Sequence, residues 1–204
     1  MPPLLMKNKF RRGFKKWVDE KVLDIRKQLG KSEYDPICAF DLCKFLQIPI
    51  YTPSDIKGLP SQCVNNLLQD GSSHWSAVTI PTKENKYIII HNPIHTPARQ
   101  QSNLMHEVAH ILCQHKLSES KKIVGMPEFM RDYNSDQEDE ANWLGGCLQL
   151  PRPALLYCLQ RGMSVEDIAT CYNCSIKMAK YRINITGVNV QINRYKKRVY
   201  QTTY

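Results

Sequence analysis

His106 and His110 stand four apart in SNLMHEVAHIL, residues 102–112, with Glu107 directly after the first. On an α-helix, residues i and i+4 point within about 40° of one another, one turn apart in height, so two imidazoles at that spacing converge on one point. Glu107, about 100° further round, projects beside that point rather than onto it. Two neutral nitrogen ligands, with a carboxylate next to the remaining coordination position, are what a zinc hydrolase needs: the carboxylate takes a proton from a water that the ion has acidified.

A catalytic ion wants a third protein ligand and an open position. The segment DQEDEANWLGG, residues 136–146, offers Glu138, Asp139 and Glu140. On a helical wheel Glu138 shares a face with Asn142 and Gly145, whereas Glu140 lies nearer the line of Leu144 and Cys147. Small residues below an inward-pointing acid leave room for a facing helix. Spacing alone leaves the choice between Glu138 and Glu140 open.

These residues need elements to hold them. Phe14, Val18, Val22, Ile25 and Leu29 recur at helical spacing and Gly30 follows as a C-cap, so residues 10–29 read as an amphipathic helix. Its apolar stripe calls for a partner surface: its own domain, a second copy of the chain or, last, a membrane face. A second helix over 36–47 runs into a short strand at 48–51, and two more strands are expected within 74–80 and 86–92, on either side of the turn-like 81–86. The two-histidine helix follows over 98–115. A stretch of some twenty residues with weak periodicity then implies a functional or mobile loop. The helix that carries the acids, 137–150, halts at Pro151, and short helices and a basic tail complete the chain. The fold class is therefore α+β, with a small antiparallel or mixed sheet packed on the two-histidine helix and a helical C-terminal tail. The divisions expected are a basic amphipathic helix at 1–30, a core at 31–152, a helix-turn-helix-like tail at 153–188 and a basic terminus at 189–204.

ARQQSNLMHEVAHIL followed by EDEANWLGGCLQLP resembles the ImmA/IrrE family of zinc-dependent metallopeptidases, whose pattern is an Arg, a tract ending in HExxH, then E-x-E-A-N closing with Leu-x-Pro. The resemblance runs from about residue 36 to 185. It implies a zincin-like fold, Zn²⁺ held by His106, His110 and Glu138, and Glu107 as general base. It also implies a helix-turn-helix transcriptional repressor as the protein substrate. Two departures stand out: Gly145-Gly146 where an aromatic-Ala pair is commoner, expected to loosen packing, and Gln149 in place of an aliphatic residue. Candidates to stabilise the tetrahedral oxyanion are Tyr133, His115 and Arg99, and the substrate is expected to lie extended along an edge strand, 75–80 or 86–91. His74, His91 and His95 read as surface or strand-end residues, and Trp75 and Trp143 as core.

The 204 residues suffice for a buried core, no apolar run approaches the roughly 18 needed to span a bilayer, and the N-terminus lacks an uninterrupted hydrophobic segment of signal-peptide type, which points to a cytoplasmic, membrane-free protein. Eight scattered cysteines read as buried free thiols, and CYNC, with Cys171 and Cys174, as packing rather than half a metal site. The net charge of +9 sits at the two ends: residues 1–30 carry +6 and residues 191–204 carry +4. Such ends suit weak nucleic-acid contact or plain solvation. Two other readings stay in play. One is a DNA-binding regulator built on SVEDIATCYNCSIKMAKYRI, with Ala169 packing, Ser175 capping and Lys177, Lys180 and Arg182 as donors. The other is a metal-stabilised toxin–antitoxin or phage accessory protein without turnover.

Overall fold

Phe14, Val18, Val22 and Ile25 are all buried along one face of α1 (Phe14–Gln28). The partner surface is the chain's own: the stripe enters the same core as the two-histidine helix. Of the three partner surfaces that the sequence left open, the chain's own domain is the one that covers this stripe. The computed structural model describes residues 10–69, 75–82, 86–115 and 135–194. The expected long loop and most of the basic C-terminal tail fall outside these residues.

The next helix is α2 (Ala39–Phe45), followed by β1 (Ile50–Tyr51), a 3₁₀ turn at Pro53–Asp55 and α3 (Ser61–Leu68). The turn and α3 were not expected; the short apolar stripe of α3, Val64, Leu67 and Leu68, is only half-buried. β2 (Ala77–Pro81) and β3 (Tyr87–His91) follow where alternation predicts them.

The sheet order is β1-β3-β2. β1 runs parallel to β3, with Ile50 opposite Ile89, and β2 runs antiparallel, with Thr79 opposite Ile89. The sheet is thus mixed, with β3 at its centre. Because β3 is paired on both sides, the stretch 86–91 offers no edge to an extended peptide, and that half of the expectation is corrected.

α4 (Pro97–Leu112) carries the histidines and α5 (Ser135–Gln149) carries the acids. Leu104, Met105, Val108 and Ala109 of α4 are fully buried together with Ala141, Leu144 and Leu148 of α5 and Ile89 of the sheet. Beyond α5, α6 (Arg152–Gln160), α7 (Val165–Cys171) and α8 (Ile176–Thr186) close a second cluster around Leu155, Ile168 and Ala179. Ser164 and Ser175 cap α7 and α8 through their hydroxyls. No helix among the described residues is long and apolar enough to cross a membrane.

Five helices end alike. In α1, α2, α4, α6 and α7, the amide two residues past the C-cap bonds the carbonyl five residues back: Lys31 to Arg26, Ile48 to Cys43, His115 to His110, Met163 to Cys158 and Cys174 to Ala169. The residue between is left-handed each time: Gly30, Gln47, Gln114, Gly162 and Asn173. Glycine announces such a turn in sequence and asparagine does so more weakly, whereas the two glutamines do not.

Candidate metal centre

The apolar stripe of α4 faces the core, so His106 and His110 emerge along its boundary with α5, each side chain keeping about a quarter or a fifth of its surface exposed, 25% and 20%. Glu138, in the first turn of α5, meets them: Oε2 lies 3.2 Å from His106 Nε2 and Oε1 lies 3.3 Å from His110 Nε2. The two Nε2 atoms are 3.0 Å apart. Geometry therefore chooses Glu138 over Glu140, the choice that spacing left open.

Close packing of the two helices depends on Gly145. A Cβ added there would come within 3.0 Å of the Met105 carbonyl oxygen and 3.1 Å of the His106 amide nitrogen, both backbone atoms that cannot swing away. Gly145, one of the pair expected to loosen packing, instead lets α5 approach α4 beside the first histidine, while Gly146 faces Arg182 and Met178 of α8. Gln149, the other departure from the family pattern, is buried; Ser102 donates to its Oε1 at 2.9 Å and its Nε2 donates to the Asn173 carbonyl at 2.9 Å, tying α4 and α5 to the turn after α7.

The donor set fits a divalent ion. Ligand atoms each about 2.0–2.1 Å from one zinc in a tetrahedron lie about 3.3–3.4 Å from each other, close to the spacings found here. Two imidazole nitrogens and a carboxylate facing inward at these distances need a shared positive centre. Without an ion that centre is a proton: burial pulls His106 down, but the hydrogen bond to Glu138, the charges of Glu107 and Glu138 and the Asn142 side chain outweigh it and raise it above the ordinary 6.5. Hydrogen bonds from His106 and then His110 hold Glu138 far below the usual carboxylate range, against the opposing effect of burial.

Glu107 points past the cluster toward the sheet, where the buried Thr79 hydroxyl donates to its Oε2 at 2.6 Å. Thr79 is an alternating residue of β2, and nothing in its sequence context marks it. Asn142, on the Glu138 face of α5 as the helical wheel has it, helps raise His106.

The oxyanion candidates fare differently. Arg99 lies seven residues before His106, about 10 Å along the helix, and donates to Ser76 Oγ at 3.3 Å. His115 sits behind His110, its Nδ1 2.9 Å from His110 Nδ1, on the side away from the Nε2 cluster. Tyr133, the third candidate, lies outside the described residues.

Glu140 belongs to this rear group, 3.2 Å from His115 Nε2 and 3.3 Å from Arg11 Nε. Cys113 is close by; one donor atom from each of Cys113, His115 and Glu140 lies within 4.8 Å of the others. Burial first, then the Glu140 charge, pushes the Cys113 thiol up to about 12, with Arg11 opposing. Burial also pulls His115 down from its ordinary value, against its hydrogen bond to Glu140.

Several further expectations are settled by placement. His91 closes β3, a strand end as expected, but is buried against Phe40, and His95 is buried between Asn92 and Asn103 rather than on the surface; His74 lies outside the described residues. Trp75 and Trp143 are half-buried, Trp75 donating to the Leu67 carbonyl at 2.9 Å. Cys174 is buried and Cys171 exposed, both as free thiols. Arg182, counted as a donor for DNA, is 1% exposed and spends its guanidinium on the Leu150 carbonyl and Cys147 Sγ. Only Lys177 and Lys180 of that trio remain exposed.

No curated protein matches the chain. Residues 66–184, which span β2, β3, α4, α5 and most of the helical tail, match the IrrE N-terminal-like domain of a peptidase family. That span exceeds half of the 204 residues and contains all three converging donors together with Glu107. The chain therefore belongs to the IrrE N-terminal-like peptidase family.

Proposed function

We propose that the protein is a zinc-dependent metalloendopeptidase of zincin-like design, with His106, His110 and Glu138 as metal ligands and Glu107 as general base. The observation that carries the reading is the convergence of two Nε2 atoms and one carboxylate from separate helices within 3.0–3.3 Å, with a second carboxylate alongside that takes no part in the cluster. Membership of a peptidase family supports the same reaction class.

A divalent ion in this cluster supplies Lewis acidity, which lowers the pKa of water and polarises a peptide carbonyl. The protein's part is geometric and acid–base. Thr79 occupies Oε2 of Glu107, which leaves Oε1 free to take the proton of the attacking water. As the carbon–nitrogen bond breaks, the same oxygen returns that proton to the leaving amine. β2 keeps one side without a strand partner among the described residues, and an extended peptide pairing there is held by backbone hydrogen bonds irrespective of its side chains. Thr79 links that strand to the base, so the strand that holds the peptide also orients Glu107.

The substrate class proposed is a helix-turn-helix transcriptional repressor, on the family resemblance. Replacing Glu107 with Gln tests the mechanism, read by metal content, thermal unfolding and cleavage of candidate repressors. Retained metal and fold with cleavage reduced at least about 100-fold is the expected result. Undiminished cleavage by Glu107→Gln would remove Glu107 from the reaction.

A further inference from the structure

Four side chains run in single file behind the metal cluster. His110 turns Nε2 to Glu138 and His106 and Nδ1 to His115 Nδ1, at 2.9 Å. His115 Nε2 lies 3.2 Å from Glu140 Oε2, and Glu140 Oε1 lies 3.3 Å from Arg11 Nε. Exposure falls from 20% for the His110 side chain to 7% for His115, then rises through 14% for Glu140 to 59% for Arg11.

Neutral imidazoles leave one proton assignment that satisfies every contact. If His110 ligates through Nε2, its proton is on Nδ1 and is donated to His115. His115 Nδ1 then accepts, so its own proton is on Nε2 and goes to Glu140, whose second oxygen takes the Arg11 guanidinium. Each tautomer is fixed by the next group out, and the file ends on a permanent cation.

The backbone is bent to make this meeting. Gln114, at φ 54°, turns the chain left-handed after α4, so that the His115 amide bonds the His110 carbonyl at 3.1 Å and the two rings stand 5.0 Å apart. A non-glycine residue in that conformation is uncommon.

We propose that His115 is a positioning residue for His110, locking its Nδ1–H tautomer and ring direction, and that Glu140 and Arg11 extend this lock to the turn that opens α1. The basic N-terminal helix is thereby coupled to metal affinity. The inference rests on the metal reading of His106, His110 and Glu138. Cys113, His115 and Glu140 are also disposed to hold an ion themselves, but Arg11 already neutralises the carboxylate such an ion would need.

The test measures zinc stoichiometry and affinity of the full chain by competition with a chelator, alongside thermal unfolding of each protein without metal. Asn carries its Oδ1 where His carries Nδ1, so His115→Asn keeps an acceptor for His110 while His115→Leu removes it. The expected result is one ion per chain, affinity lowered about 10–100-fold by His115→Leu, and affinity within about threefold of the parent for His115→Asn. Glu140→Gln and Arg11→Met fall between the two, and they decide the matter should His115→Leu fail to fold. Unchanged affinity in His115→Leu, or in both outer variants, overturns the inference alone. Two ions per chain, reduced to one by Cys113→Ser, overturns it in favour of a second metal site. No binding by the parent chain overturns the metal reading itself and the inference with it.

Discussion

His106 and Glu138 form a proton-dependent pair when no ion is present. His106 is raised above its ordinary 6.5 and Glu138 is depressed below its ordinary 4.5. A raised histidine contributes stability that is complete below the unfolded value and is lost as pH climbs through the folded one. A depressed carboxylate contributes stability that is present above its unfolded value and is lost as pH falls through the folded one. Without metal, the pair therefore stabilises most between about 4.5 and 6.5. With zinc the trend reverses on the alkaline side, because the ion takes deprotonated imidazoles. Thermal unfolding of the chain against Glu138→Gln, with chelator and with zinc across the acid and neutral range, measures both. The metal-free difference should shrink as pH rises past the His106 transition, whereas the zinc-dependent difference should grow. At this scale the sequence is informative about the ligands, because helix geometry alone makes His106 and His110 converge. It is silent on Thr79 and Arg11, whose contacts with Glu107 and Glu140 depend on how distant elements dock.

The facing of α4 and α5 is the element that makes a two-helix cluster possible. Gly145→Ala adds a methyl group 3.0–3.1 Å from the α4 backbone at Met105 and His106, where no flexible side chain can yield. It should destabilise the fold by about 1–3 kcal/mol, as overpacking does, and lower zinc affinity by parting His106 from Glu138. Denaturant unfolding and chelator competition on the same variant check both; a stability and affinity equal to the parent's would show that the helices are not held by that contact. Gly146→Ala meets only the side chains of Arg182 and Met178, at 3.1 and 3.2 Å, and serves as the milder control. Apart from α3, helix positions were legible from apolar periodicity and from Pro151, and β2 and β3 from alternation. Helix ends at Gln47 and Gln114 were not, since neither is the glycine or asparagine that marks such turns. The placement of β3 at the centre was equally hidden, because strand order follows from the crossover between β1 and β2 rather than from any one strand.

At the scale of the whole molecule, α5 joins two cores. Ala141, Leu144 and Leu148 face the cluster that holds α1, α4 and the sheet, and Leu150 opens the one formed by α6–α8. Two buried arginines meet the end of α5: Arg26 donates to the Leu148 carbonyl at 3.0 Å and Arg182 to the Leu150 carbonyl at 3.1 Å. Both satisfy carbonyls that the helix leaves without internal partners, and both place positive charge at its negative end. One of the +6 charges of residues 1–30 is thus spent on structure in Arg26, and another, Arg11, on Glu140. A net charge count reads such residues as surface for a polyanion, whereas their positions assign them to the protein's own interior and to the ground behind its metal cluster. The central claim is that one ion is held between α4 and α5 by His106, His110 and Glu138. Its most direct test is the zinc stoichiometry of the full chain beside that of Glu138→Ala. The account predicts one ion per parent chain and none retained by the folded variant at the same chelator concentration; equal retention by both would contradict it.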